Sequence, residues 1–220
     1  MTSSHRRESS APSPGPSVQE AASAGRQEAA KSVVIDRAIE MFVDRGFEAV
    51  SVEDIARGAG ISVRTFYRYF GSREGVLLAF ALRSARFLPE AVARRPAGES
   101  AFEALVAAAT TWDDATEQDH RTWASIVRGV PEAYRYVEAA LWPAFRRMVA
   151  AAVEPRLPNE ARSRGDADIL AAVVVGVLVA VSERALADDL DRRPLMARAF
   201  DTLRAASGGE IGDVVATRGS

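Results

Sequence analysis

Within a dozen residues the chain sets out Val63, Arg64, Thr65, Tyr67, Arg68, Tyr69 and Arg73. Their chemistry suits a polyanion with readable edges. An arginine guanidinium donates two parallel hydrogen bonds to guanine O6 and N7, which makes Arg64 a candidate base reader. Thr65 offers a hydroxyl to a phosphate or a methyl to a thymine, and the Tyr67 and Tyr69 hydroxyls reach phosphates from the helix edges. Arg73 stands where a following helix would begin, beside exposed N–H groups that suit a phosphate, and Ser51 occupies a similar position one element earlier.

Catalytic chemistry finds little to work with. There is no cysteine, and the only histidines are His5 and His120. No HExxH or His-x-x-x-His spacing and no glycine-rich phosphate loop occur. The Asp113-Asp114 pair reads as the solvated edge of a helix. The sequence therefore predicts no enzyme, no metal site and no cofactor.

The elements that must carry these residues follow from periodicity. Val34, Ile35, Ala38, Ile39 and Phe42 form one apolar helical face. Gly46 ends that helix, and Phe47 is placed to pack back on Phe42. Ser51 with Asp54 three residues on resembles a capping box. Val52, Ile55, Ala56 and Ala59 then give a short amphipathic helix that stops at Gly60. Ser62 caps the next, where Val63, Phe66, Tyr67 and Phe70 share one side of the wheel. Arg64, Thr65 and Arg68 share the other, with Tyr69 on the flank. Gly58 within the second helix and Gly75 at the start of the fourth are expected to weaken their helices. Three short helices with a tight turn between the last two have the form of a helix-turn-helix, whose second helix enters the major groove. The residues alone leave open an amphipathic helix that no longer reads DNA, in a helical interaction module.

The whole chain has 220 residues and a net charge of −2, which does not advertise nucleic-acid binding. Between Ser51 and Arg73, however, Arg57, Arg64, Arg68 and Arg73 outnumber Glu53 and Asp54, and affinity depends on the local patch. Residues 1–25 are rich in Ser, Pro and Ala without an apolar secretory core. They are expected to be a disordered tail, and a cytoplasmic location is expected with them. Residues 26–75 form the predicted DNA-binding domain, 76–208 a larger helical domain, and 209–220 a flexible tail. The predicted class is all-α with about nine helices. Pro143 is expected to kink or divide its helix.

Thr65-Phe66-Tyr67-Arg68-Tyr69-Phe70, after Ile55-Ala56 and Ala59-Gly60-Ile61-Ser62 and before Ser72-Arg73-Glu74 and Leu77, resembles the signature of the TetR-type repressor family. The resemblance covers about Ile35 to Phe80. It implies a homodimer on double-stranded operator DNA, with a C-terminal domain that binds a small-molecule effector and dimerises. Carried over by position, the DNA contacts fall on Val63, Arg64, Thr65, Tyr67, Tyr69 and Arg73. The implied regulator is a repressor, although an activator would share every feature.

In the larger domain the scattered aromatic residues predict an apolar or aromatic effector touched by some of Trp112, Trp123, Tyr134 and Trp142. The run Ile169 to Val181 is too short to span a bilayer and reads as a buried helix, so no membrane partner is expected. A helix apolar all round needs cover on every side. Val173, Val177 and Val181, with Leu195, Ala199 and Leu203 of the next helix, are therefore predicted to build a two-fold four-helix interface.

Overall fold

The computed structural model describes residues 18–111 and 113–206. Among them there are eleven α-helices, two 3-10 turns and no strand. The order is α1 (Val18–Arg45), a 3-10 turn (Phe47–Ala49), α2 (Val52–Gly58), α3 (Val63–Phe70), α4 (Arg73–Ala85), α5 (Phe87–Ala93), α6 (Ala101–Thr110) and α7 (Asp114–Val127). There follow α8 (Pro131–Val153), a 3-10 turn (Glu154–Arg156), α9 (Asn159–Ser163), α10 (Asp166–Asp188) and α11 (Arg192–Ala206). The all-α class stands, with more helices than the nine or so expected.

The first helix begins earlier than composition suggested. Residues 18–25, assigned to the tail, are helical. Gln19, Ala22, Ser23 and Ala24 are exposed and anchor nothing. Alanine and glutamine are good helix formers, and extending a helix already nucleated on the buried Val34–Phe42 face costs little. The rest of that tail and the C-terminal one lie outside the described residues.

The expected boundary at residue 75 falls inside α4, and the packing follows a different division. One core joins α1 to α4 with Ile126 and Val127 at the end of α7, Val130 in the link, and Val137 and Leu141 in the first half of α8. The other gathers Leu88, Phe102, Leu105, Phe145, Val149, Leu178, Met196 and Phe200. The α8 helix runs through both, and Trp142 packs against each. It is one helix rather than two, because Pro143 and Ala139 both lie on its exposed side. The carbonyl that the proline leaves without a donor can therefore meet water.

Pro131 opens α8 at its first position, where no N–H bond is lost. The α10 helix is long and apolar enough to cross a membrane by length and composition, with a mean hydropathy of 2.2 over its best stretch. It exceeds the apolar run read from sequence because Ala167, Ser182 and Ala185 extend it. One side of it, Ala171, Val174, Val175 and Leu178, is buried in the second core.

Candidate nucleic-acid interface and effector cavity

The recognition element is built from caps. The Ser51 hydroxyl accepts from the Asp54 N–H at 3.1 Å and donates to Asp54 Oδ2 at 2.7 Å, while the Ser51 N–H donates to the same oxygen at 3.3 Å. The capping box expected from sequence is thus complete, and it holds the Asp54 carboxyl below the usual carboxylate range. The turn after α2 closes through the Ile61 N–H, which donates to Ala56 O at 2.9 Å. Gly60 there takes φ +68°, a left-handed conformation that side chains disfavour. Ser62 accepts the Thr65 N–H at 3.1 Å and starts α3.

Phe66 is fully buried, and its ring lies 5.4 Å from Phe70. Phe66, with half-buried Val63 and Phe70, seats α3 against the first core. On the opposite side Arg64 and Arg68 are exposed. Arg64 makes no ion pair among the described residues, so its guanidinium projects free. Thr65 shares a 2.9 Å hydrogen bond with the Ser62 hydroxyl. Tyr67, assigned by the wheel to the inner side, is 50% exposed and stands on the outer flank. Tyr69 lies beneath two cations, Arg68 at 5.1 Å and Lys31 at 5.8 Å from its ring centroid. Lys31 escaped the sequence reading because α1 brings it in from 38 positions away, and no spacing rule connects the two.

Two predicted phosphate contacts have other work. The Arg73 Nη1 donates to Phe47 O and Val50 O at 3.0 Å each, Nη2 lies 3.4 Å from Glu48 Oε2, and the guanidinium stacks on the Phe47 ring at 4.8 Å. Arg73 thus ties α4 to the 3-10 turn after α1, where Phe47 also packs on Phe42 at 4.8 Å. The Ser51 hydroxyl is spent in its capping box. The glycine at 75 also has a reason: a Cβ there would stand 1.9 Å from the Phe70 carbonyl oxygen, so glycine is what lets α4 start against the end of α3. Gly58 likewise lies under the Arg37 side chain of α1, where a Cβ would come within 3.2 Å of Nε.

Behind this head lies a cavity of about 100 Å³. Its walls are Phe80 and Ser84 of α4, Phe87 of α5, Asp119, His120 and Trp123 of α7, Tyr134, Trp142 and Phe145 of α8, Leu178 and Ser182 of α10, and Arg192 of α11. Trp123, Tyr134 and Trp142, singled out from sequence, come together here. Trp112 lies outside the described residues. Glu138 fixes two of the rings: the Tyr134 hydroxyl and the Trp142 Nε1–H both donate to its Oε1 at 3.1 Å. Burial and the neighbouring carboxylates Glu138 and Glu183 push the Tyr134 phenol up, so it stays protonated.

The polar end of the cavity was not foreseen. The Ser84 hydroxyl donates to Asp119 Oδ2 at 2.6 Å, joining α4 to α7. Arg192, almost fully buried, donates through Nε to Glu117 Oε2 at 3.3 Å. Burial, with Arg192 and Arg121 nearby, pushes His120 down to about 3, so it presents a neutral imidazole. Glu117, Asp119 and His120 sit in a polar stretch of α7 that looks like a solvated helix edge until α4, α10 and α11 close over it. A wider hollow of about 410 Å³ lies on the other side of α7. Its charged walls pair among themselves, as Arg128 with Asp189 at 2.6 Å and Arg121 with Glu117 at 3.5 Å, and give an apolar guest little to bind.

The predicted interface residues separate. Val173 is 41% exposed, together with Ile169 at 62% and with Ala172, Gly176 and Ala180, in one outward stripe of α10. Val177 is half-buried on its flank. Val181 is a correction: it turns inward and is buried in its own subunit's core, because its place on the wheel is that of Val174, Leu178 and Ala185. Leu195, Ala199 and Leu203 of α11 are half-buried against the same core.

Residues 34–80 match the family model for bacterial regulatory proteins of the tetR family. A Mycobacterium tuberculosis regulator named for mycofactocin biosynthesis, MftR, is 31% identical over 126 residues, which is 56% of this chain and 63% of MftR. The chain thus matches less than two thirds of the length of the curated relatives MftR and, in the same organism, AlkX. Among solved structures, the SmeT–triclosan complex has a TM-score of 0.53 at 20% identity, covering 81% of this chain and 91% of that one. AlkX from a Dietzia strain, a TetR family repressor implicated in biodegradation of n-alkanes, has a TM-score of 0.53 at 19% identity, covering 80% and 94%. At such identities the likeness concerns the fold.

Proposed function

We propose that the chain, whose residues 34–80 match the family model for bacterial regulatory proteins of the tetR family, is a TetR-type, effector-responsive repressor of the cytoplasm. It binds a pseudo-palindromic operator as a homodimer. Two α3 helices, one per subunit, enter successive major grooves about 34 Å apart, or a multiple of that spacing. Arg64 reads bases, while Thr65, Tyr67, Arg68 and Tyr69, with Lys31 beside them, hold the backbone and set the register. The reading rests above all on Arg64 and Arg68, exposed on the outer side of a helix whose inner side is locked by Phe66.

The effector occupies the aromatic cavity. The α4 helix is the connection: Phe80 and Ser84 line the cavity, and Gly75 presses against the end of α3. A guest that displaces the upper part of α4 shifts the lower part, and with it the angle of α3. Effector and DNA then oppose one another, and the coupling is reciprocal. The test is selection of bound duplexes from a random pool, followed by a gel shift. We expect an inverted repeat, lost affinity with Arg64→Ala, and release by a cavity ligand. A protein that retains no duplex at low salt would refute the reading.

A further inference from the structure

We infer that the cavity takes an organic cation: a protonated or quaternary amine on a compact apolar or aromatic body. The inference rests on the cavity being the effector site, and it deepens that reading to a charge class.

Two charged side chains line the cavity, Asp119 and Arg192. Arg192 is paired with the buried Glu117 carboxylate, which its Nε meets at 3.3 Å and which Arg121 meets from the other side at 3.5 Å. Asp119 has no such partner. Among the described residues no lysine or arginine forms an ion pair with it, and its one hydrogen bond comes from the neutral Ser84 hydroxyl at 2.6 Å. His120, next to it, stays a neutral imidazole and supplies no compensating charge. The wall thus keeps one carboxylate that a cation can neutralise and an anion can only oppose.

The remaining walls favour the same guest. Phe80, Phe87, Trp123, Tyr134, Trp142 and Phe145 surround the space. Glu138 accepts the polar hydrogens of both Tyr134 and Trp142, so these two rings have their polar atoms engaged and offer chiefly π surface. An aromatic face attracts a cation through its quadrupole, and desolvation strengthens the attraction. An anionic guest would meet π clouds and a carboxylate that holds no ion pair among the described residues.

Three probes of closely similar size and different charge test this on the full-length protein at neutral pH: 2-phenylethylammonium, 2-phenylethanol and phenylacetate. Titration followed by tryptophan fluorescence and calorimetry should rank the cation first by about tenfold over the alcohol, with the carboxylate last. Asp119→Asn keeps an acceptor for Ser84 and should cut the cation's advantage over the alcohol severalfold, leaving only what the aromatic faces contribute. The wild-type ranking stands whether or not that variant folds. An alcohol or carboxylate that binds as tightly as the cation, a cation that does not bind, or an Asp119→Asn protein that folds with its cation preference intact would overturn the inference. The assay contains no DNA, so a failure of the regulator reading would appear separately, as a missing gel shift.

Discussion

The Arg73 guanidinium donates to the backbone carbonyls of Phe47 and Val50, whereas the Arg64 guanidinium meets no protein partner among the described residues. Equal charge therefore predicts unequal phenotypes. Removing Arg64 should cost about 1–3 kcal/mol of discrimination at one base pair and leave the melting temperature unchanged. Removing Arg73 should cost about 2 kcal/mol of fold stability, since charge-assisted bonds to buried carbonyls are lost, or about 5 °C in a chain of this size. Thermal melts beside operator binding separate the two, and an Arg73→Ala protein of wild-type stability would return Arg73 to the phosphates. His120 gives a second residue-scale prediction. Its imidazole ionises near 3 when folded, against 6.5 for a histidine in an open chain. Between those values the unfolded chain binds the extra proton. The stability linked to this group is therefore whole above pH 6.5 and is lost as pH falls toward 3, with a slope of up to about 1.4 kcal/mol per pH unit. His120→Gln should flatten the dependence of melting temperature on pH between 7 and 4, and an unchanged slope would show that the imidazole is solvated.

At the scale of elements, the helices that can be read directly are those whose signals are local. The Ser51–Asp54 box, Gly60 and the Val63–Phe66–Phe70 spacing each lie within one or two turns, and each does in the fold what its spacing implies. Tyr67 departs from the wheel because nine residues cannot say how wide the buried arc is, and the tyrosine stands at its margin. The cavity was half legible. Its aromatic walls announce themselves by residue type, but Asp119, His120, Ser84 and Arg192 become neighbours only through packing between α4, α7 and α11. Glu138 shows how one element prepares the site, because a single carboxylate one turn from both Tyr134 and Trp142 holds both rings. Glu138→Ala should lower effector affinity roughly tenfold, a loss of about 1.4 kcal/mol, while operator affinity without effector stays as it was. Glu138→Gln, which still accepts, should restore most of the loss. The same α8 helix joins the two cores, so a boundary drawn from sequence at residue 75 separates elements that the packing keeps together.

For the molecule as a whole, the proposed homodimer calls for a face to build it on, and the outer stripe of α10 is the face we propose. Ile169 and Val173 are among the exposed large apolar residues, and Ala172, Gly176 and Ala180 between them leave room for close approach of another helix. Water is a poor cover for such a stripe, and a second copy of α10 related by a two-fold axis would bury it against its own equivalent. Two substitutions on one helix then separate assembly from folding. Val173→Arg places a charge without a partner at the centre of the stripe. A cost of several kcal/mol for an unpaired interfacial charge weakens dimerisation by about two to three orders of magnitude. Val181→Ala instead empties a site in the subunit's own core, at about 2 kcal/mol of stability, and leaves the stripe intact. Light scattering at micromolar concentration should therefore show a monomer for Val173→Arg and a dimer for Val181→Ala. The monomer should also lose operator affinity, since one reading head reaches only one half-site. A Val173→Arg protein that remains dimeric and binds its operator would move the interface off this stripe, toward the half-buried edge formed by Leu195, Ala199 and Leu203.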